Sequence, residues 1–136
     1  MNFLDSIVQK AKVRLRRIVL SEGEDPRVLR AAIKAFKKKI AEPILLGNRK
    51  VIEEDIKSLG ARPEDFEIID PVRSNSLTSF AEDFATLRKN RIIPFEKALE
   101  EVRLPLNFAA MMVRRCHAHG TIGGAVETTT KTVSAA

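Results

Sequence analysis

The sequence predicts an α/β fold, a doubly wound and mostly parallel sheet with flanking helices. Short, continuously apolar segments such as "RRIVLS" at 16–21 and "PILLG" at 43–47 are typical of strands buried on both faces. They alternate with segments of ten or more residues whose apolar positions have helical spacing. Strands that alternate with helices form parallel sheets, and right-handed crossovers then wind the chain over both faces.

The first strand–helix unit has clear boundaries. A short amphipathic helix is predicted near residues 2–12, followed by the strand at 16–21. Gly23 allows a tight turn, Asp25 is a cap candidate, and Pro26 suits the first position of a helix. A strand, a turn and a helix are therefore expected in this order.

The unit then recurs with the same alternation. Prolines, glycines and small polar residues punctuate the later elements at their predicted ends. These elements are a strand at 43–47, a helix at 48–60 stopped by Gly60, a strand at 66–71, a helix at 74–90 capped by Ser74 or Asn75, a helix at 94–102, a helix from Pro105 to a stop at Gly120, and a strand from Thr121 to Val126. Glycines inside that last strand indicate a close backbone approach.

Length and composition limit the class of protein. The 136 residues, 44% apolar and 31% charged, predict one domain over 1–136 with no internal boundary. A single cysteine, no apolar run of about 20 residues and no signal peptide predict a cytoplasmic protein without a membrane partner. The net charge of +6 admits an anionic partner, but the absence of Trp and Tyr disfavours nucleic acid, whose bases stack on aromatic side chains.

Two polar stretches follow predicted strands, where open α/β sheets bind ligands. They are "SEGEDPR" at 21–27 and "GGAVETTTKT" at 123–132. Glycine amides and threonine hydroxyls can donate to phosphate oxygens, although neither stretch has P-loop or dinucleotide-binding spacing. From composition alone, a phosphate-binding loop and a β-rich turn with a helix cap are equally good interpretations.

The segment "CHAH" contains three residues of zinc-binding types, Cys116, His117 and His119. Closed zinc sites commonly use two separated ligand pairs, and the sequence has no second pair, so no metal site is predicted. Histidines near the end of a helix are explained by its dipole, and a core position is expected for Cys116. Arg88 likewise lies near the end of a predicted helix, where spacing alone indicates only a solvated cation.

Five collinear motifs nevertheless resemble the N-terminal part of the phosphate acetyltransferases, or phosphotransacetylases. They are "IVLSEGEDPRVLRAA", "EPILLGN", "LRKNRIIPFEKALEE", "PLNFAAMMV" and "GGAVETTTKTV", and they extend from Ile18 nearly to the last residue. Phosphate butyryltransferases and the C-terminal region of some long malic enzymes share the pattern. The segments "LRKNR" and "PLNFAAMMV" are more similar to the acetyltransferases.

The resemblance implies an acyltransferase that moves an acetyl group between coenzyme A and inorganic phosphate. It implies the first of two α/β domains of the isocitrate dehydrogenase-like type, with the active site in the cleft between them and a homodimer as a candidate assembly. Coenzyme A or acetyl-CoA would be a substrate rather than a tightly bound cofactor, and no metal would take part. The matching substrate-binding residues are Arg88, Thr128, Thr129 and Thr132.

Three positions depart from the family pattern. Ser134 replaces an arginine that helps to bind phosphate, Lys131 replaces a common aspartate, and His119 replaces an aspartate before the glycine. Relatives in the family are more than twice as long, and none of their catalytic serine, arginine and aspartate can be assigned to a residue here. The sequence is therefore expected to be a truncated N-terminal part with little activity alone, or alternatively a non-catalytic module that binds coenzyme A or acyl phosphate.

Overall fold

A computed structural model describes residues 2–87 and 93–125. Four strands, β1 (Arg17–Leu20), β2 (Glu42–Leu46), β3 (Glu67–Ile69) and β4 (Gly120–Ile122), form one sheet in the order β3-β2-β1-β4. Every neighbouring pair is parallel. The predicted α/β fold with a parallel sheet is confirmed.

Six helices are described, and all but the first pack on the two faces of this sheet. They are α1 (Phe3–Val13), α2 (Pro26–Lys37), α3 (Arg49–Ser58), α4 (Leu77–Leu87), α5 (Phe95–Arg103) and α6 (Pro105–Arg114). Successive strand residues point to opposite faces, so Ile44 and Leu46 of β2 pack with α4, α5 and α6, while Leu45 packs with α2 and α3. The sheet is therefore doubly wound, with two separate hydrophobic cores.

The ends of α2 and α3 follow from their local sequences. The Asp25 side chain accepts a hydrogen bond from the backbone of Arg27, and Pro26 occupies the first turn, as predicted. The Asn48 side chain caps α3. Beyond the end of α3, Gly60 has φ +79° and its N–H donates to Lys57 O, while Ala61 N–H donates to Ile56 O. These two bonds form a Schellman motif, which favours glycine at its left-handed position.

Helix α1 differs from the others because none of its residues is buried. Its start is stabilised locally by a capping box, in which the side chains of Asn2 and Asp5 each accept a hydrogen bond from the other's backbone. Phe3 remains 79% exposed and Leu4 69% exposed. None of the helices within residues 2–87 and 93–125 has the length and apolar character needed to cross a membrane.

Three predictions about local structure are wrong. Helix α6 ends at Arg114 and not near Gly120, because Cys116 takes a left-handed φ of 61° and turns the chain. Cys116 is exposed, so it is not a core residue. Helix α4 begins at Leu77, with Ser76 rather than Ser74 or Asn75 directly before it.

The chain turns after α6 because it must join the sheet. His119 N–H donates to Arg17 O at 2.8 Å, and Arg17 N–H donates to His119 Nδ1 at 2.9 Å. These bonds attach the segment before β4 to the start of β1. His117 and His119 thus lie outside the helix, and the dipole of α6 does not explain their position.

Candidate functional site

The strand order places a topological switch point at the carboxyl ends of β1 and β4. The chain adds β2 and β3 on one side of β1 and then places β4 on the other, so the winding direction reverses between β1 and β4. Leu20 is paired with Ile122, which means that residues 21–27 and residues 123–125 leave the sheet side by side. We call the region where these two segments meet the crevice. Doubly wound proteins bind ligands at this topological switch point.

The backbones at the base of the crevice are very close. Ser21, which is only 1% exposed, donates its backbone N–H to Ile122 O at 3.3 Å. A Cβ added to Gly123 would lie 2.6 Å from Ser21 Oγ and 2.8 Å from Leu106 Cδ2. The close approach predicted from the glycines is therefore confirmed at Gly123, which lies just beyond β4 rather than within it.

A second close approach fixes the loop after β1 against β2. Gly23 N–H donates to Leu46 O at 3.0 Å, and a Cβ on Gly23 would lie 2.6 Å from that same oxygen. Real Cβ atoms essentially never approach an oxygen so closely. The glycine thus lets the segment "SEGEDPR" cross the end of β2 before α2 begins.

The two walls of the crevice are joined at Ala125. The Ala125 N–H donates to Glu22 Oε1 at 2.7 Å, and Ala125 O accepts from Arg27 Nη2 at 2.9 Å. Both backbone groups of Ala125 are therefore held by side chains of the opposite segment. The polypeptide is oriented in this way immediately before the sequence "VETTTKT".

Asp25 holds Arg27 in place for that contact. Arg27 Nε and Nη2 donate to the two carboxylate oxygens of Asp25 at 3.1 and 2.8 Å, a bidentate geometry that adds directional specificity. The side-chain and backbone hydrogen bonds from Arg27 lower the pKa of Asp25 from 3.8 to about 2. The same pairing raises the pKa of Arg27. Both groups remain charged at neutral pH.

The predicted substrate-binding residues, Arg88, Thr128, Thr129 and Thr132, lie outside the described residues, as do Lys131 and Ser134. Their roles stay predictions. Among the residues that are described, no group of three or more His, Cys, Asp and Glu side chains is arranged to hold a metal ion. The clamp on Ala125 by Glu22 and Arg27 was not anticipated from the sequence.

Comparison with known proteins identifies the family. The family model described as phosphate acetyl/butaryl transferase matches residues 2–136. The chain belongs to this family. A phosphate acetyltransferase from Thermoanaerobacterium thermosaccharolyticum is 40% identical over 129 residues, which is 95% of this chain and 39% of that relative. One from Acetivibrio thermocellus is 39% identical over 136 residues, covering 98% of this chain and 40% of the relative.

Solved structures of the family share the fold. A phosphotransacetylase from Streptococcus pyogenes superposes with a TM-score of 0.93 at 29% identity, covering 99% of this chain and 42% of that one. A phosphotransacetylase from Staphylococcus aureus gives a TM-score of 0.86 at 30% identity, covering 97% of this chain and 40% of the other. The chain thus spans about two fifths of the length of these four proteins.

Proposed function

We propose that the chain forms one wall of a phosphate acetyltransferase active site, and that the crevice between β1 and β4 is its phosphate side. The observation that carries the proposal is the junction at Ala125. Glu22 and Arg27 hold both backbone groups of the last described residue before the family's hydroxyl-rich loop. In this proposal, the hold on Ala125 fixes the point from which the chain enters the segment to which the family resemblance gives the substrate-binding hydroxyls.

The proposed reaction transfers an acetyl group between coenzyme A and inorganic phosphate. The coenzyme A thiolate attacks the carbonyl carbon of acetyl phosphate, a C–S bond forms, and the C–O bond to phosphate breaks and releases phosphate. Negative charge collects on the oxygens during this step, so fixed cations and hydrogen-bond donors lower the barrier. Arg88 would supply the cation, and Thr128, Thr129 and Thr132 would supply hydroxyl donors.

The relatives' length limits what this chain does alone. Their remaining three fifths lie outside the match, so in this proposal a second wall completes the cleft and supplies the catalytic residues. Coenzyme A and acetyl phosphate are bound reversibly as substrates, a second copy of the chain is a candidate partner, and the location is cytoplasmic. We expect no measurable acetyl transfer by the isolated chain.

A second candidate is a non-catalytic module that binds coenzyme A or acyl phosphate. Ser134 and Lys131 favour it, because they stand where the family commonly has an arginine and an aspartate. Replacing a phosphate-binding arginine with serine removes a charge-assisted contact, which is one of the stronger polar interactions. Such a module would keep the fold and lose the reaction.

Two measurements on the same preparation test the proposal. An assay of thioester formation from coenzyme A and acetyl phosphate should give no turnover at high protein concentration, whereas calorimetry should show saturable binding of acetyl phosphate. The Arg88→Ala variant should weaken that binding by about tenfold or more, since a contact to a charged group is lost. Arg103→Ala is a matched control because Arg103 is exposed in the last turn of α5.

Robust turnover by the chain alone would refute the idea that it is only one wall. Absence of acetyl phosphate binding at millimolar concentration would refute the phosphate site itself. Saturable binding combined with full activity after Ser134→Arg would show that the residue at position 134 is what separates the module from an enzyme. Binding without activity in that variant would leave the incomplete cleft as the cause.

A further inference from the structure

A concave surface lies beside the crevice, at the carboxyl ends of β2 and β3. It is a cleft of about 710 Å³ between the start of α3 and the segment that follows β3. Its volume is within the range of about 300–1,000 Å³ typical of small-molecule sites. Charged side chains from both sides line it, namely Arg49, Lys50, Glu53, Asp70 and Arg73. We call it the β2–β3 cleft.

Three of these charged side chains already form contacts within the protein. Arg49 forms an ion pair with Glu53 at 3.5 Å and also donates to Ile68 O. Asp70 Oδ1 accepts the backbone N–H of Val72 at 3.2 Å. These contacts fix the shape of the cleft, and the Arg49–Glu53 pair contributes no net charge to it.

The two remaining cations, Lys50 and Arg73, line the cleft from opposite sides. Lys50 and Arg73 are exposed, and no carboxylate in the described ranges 2–87 and 93–125 forms a salt bridge or a hydrogen bond with either. One comes from α3 and the other from the turn after β3, so the pair brackets the cleft. With Asp70 as the only carboxylate not paired with a cation, the lining carries an excess of positive charge.

We propose that the β2–β3 cleft binds the phosphate-bearing part of a nucleotide, with Lys50 and Arg73 as the phosphate contacts. Arg73 can form a bidentate pair with phosphate, and Lys50 acts as a point charge. Inorganic phosphate has the size of only a few water molecules of about 30 Å³ each, so it would leave most of the cleft to solvent. A nucleotide would use both the cations and the available volume.

Two sources can supply this chemistry, a free adenine nucleotide or the nucleotide end of coenzyme A. The second rests on the proposed function, because it requires coenzyme A to react in the crevice. Neighbouring strands are about 4.8 Å apart, so the β2–β3 cleft lies roughly 10–14 Å from β4 across the sheet edge. Only an elongated ligand can reach both places, and coenzyme A is elongated with its phosphates far from its thiol.

Equilibrium binding of ADP and of coenzyme A to the full chain tests the site. We expect Lys50→Ala and Arg73→Ala each to weaken ADP binding by about tenfold, since each removes one charge-assisted contact. The double variant should bind it about a hundredfold more weakly. Lys57→Ala and Arg103→Ala are matched controls, because they remove exposed cations from the last turns of α3 and α5. Both controls should bind ADP as the wild type does.

Competition identifies the source. If ADP displaces coenzyme A and the double variant weakens both, the cleft binds the nucleotide end of coenzyme A. If ADP binds without displacing coenzyme A, a free nucleotide is the ligand. Wild-type affinity of the folded double variant for ADP, or no saturable ADP binding at millimolar concentration, overturns the proposal. The same variants should bind acetyl phosphate as the wild type does. A wild-type chain that does not bind acetyl phosphate at all would refute the proposed function, and not the nucleotide site.

Discussion

The contact between Gly23 and β2 gives a sharp test of the packing at the crevice. In Gly23→Ala, the new Cβ would lie 2.6 Å from Leu46 O, 3.1 Å from Leu46 N and 3.2 Å from Ile52 Cδ1. The first two atoms are backbone atoms of a buried strand and cannot move without displacing β2. Overpacking of this kind costs about 1–3 kcal/mol, and a loop shift that breaks the Gly23–Leu46 hydrogen bond adds about 1 kcal/mol. The lower entropy of the unfolded alanine chain offsets about 0.4–1 kcal/mol.

The net expectation is a loss of about 1–3.5 kcal/mol in the free energy of unfolding. At about 4 °C for each kcal/mol in a chain of this length, the midpoint of thermal unfolding should fall by roughly 4–14 °C. Urea denaturation followed by circular dichroism measures the free energy of unfolding, and a thermal scan measures the midpoint. Gly120→Ala is the matched control, because its Cβ would meet only Ile18 Cδ1 at 3.6 Å, an ordinary contact distance. A Gly23→Ala protein as stable as the wild type, or a Gly120→Ala protein equally destabilised, would refute the reasoning.

Three further predictions concern the core, the acid response and the base of the crevice. Phe80→Ala should lower the free energy of unfolding measured in urea by about 3–5 kcal/mol, because Phe80 is fully buried. Phe3→Ser should change it by less than about 0.5 kcal/mol, because Phe3 is 79% exposed. Equal effects would contradict the assignment of Phe80 to the core. The pKa of Asp25 is lowered from 3.8 to about 2, so the stabilisation by its carboxylate is present above pH 4 and is lost as the pH falls toward 2. In Asp25→Asn the urea midpoint should therefore depend less on pH between 4 and 2 than in the wild type. An equal pH dependence in the two proteins would exclude the pairing with Arg27. Gly123→Ala should cost about 1–2 kcal/mol through its contact with Ser21 Oγ, and a double-mutant cycle with Ser21→Ala should recover about half; strict additivity would show that the two residues do not touch.

Much of the fold follows from local sequence patterns. The buried strands have continuous apolar runs because helices cover both faces of the sheet, and α2 begins where Asp25 and Pro26 predict. Gly60 terminates α3 because a Schellman motif needs a left-handed residue. The end of α6 could not be predicted in this way, since Cys116 is not a residue type that signals a left-handed turn. The turn is imposed by the pairing of His119 with Arg17, about a hundred residues away.

The candidate site, too, could be predicted only in part from local sequence. Its position at the carboxyl ends of the strands follows from the α/β alternation, and the glycines of the segment 120–124 indicate the close approach found at Gly123. The clamp on Ala125 connects residues separated by 98 and 103 positions, so only the strand order brings them together. The β2–β3 cleft is likewise a product of topology, because α3 and the turn after β3 have no local signal in common.

The most direct test of the account is to titrate acetyl phosphate into the isotope-labelled chain and follow the backbone amide resonances by NMR. If the crevice between β1 and β4 is the phosphate side of the active site, the largest shifts within the described residues should be those of Glu22, Gly23, Gly123 and Ala125. Residues at the amino ends of the strands, such as Arg17 and Glu42, should not respond. Saturable shifts confined to the amino ends of the strands, or no shifts at millimolar acetyl phosphate, would contradict the assignment of the crevice.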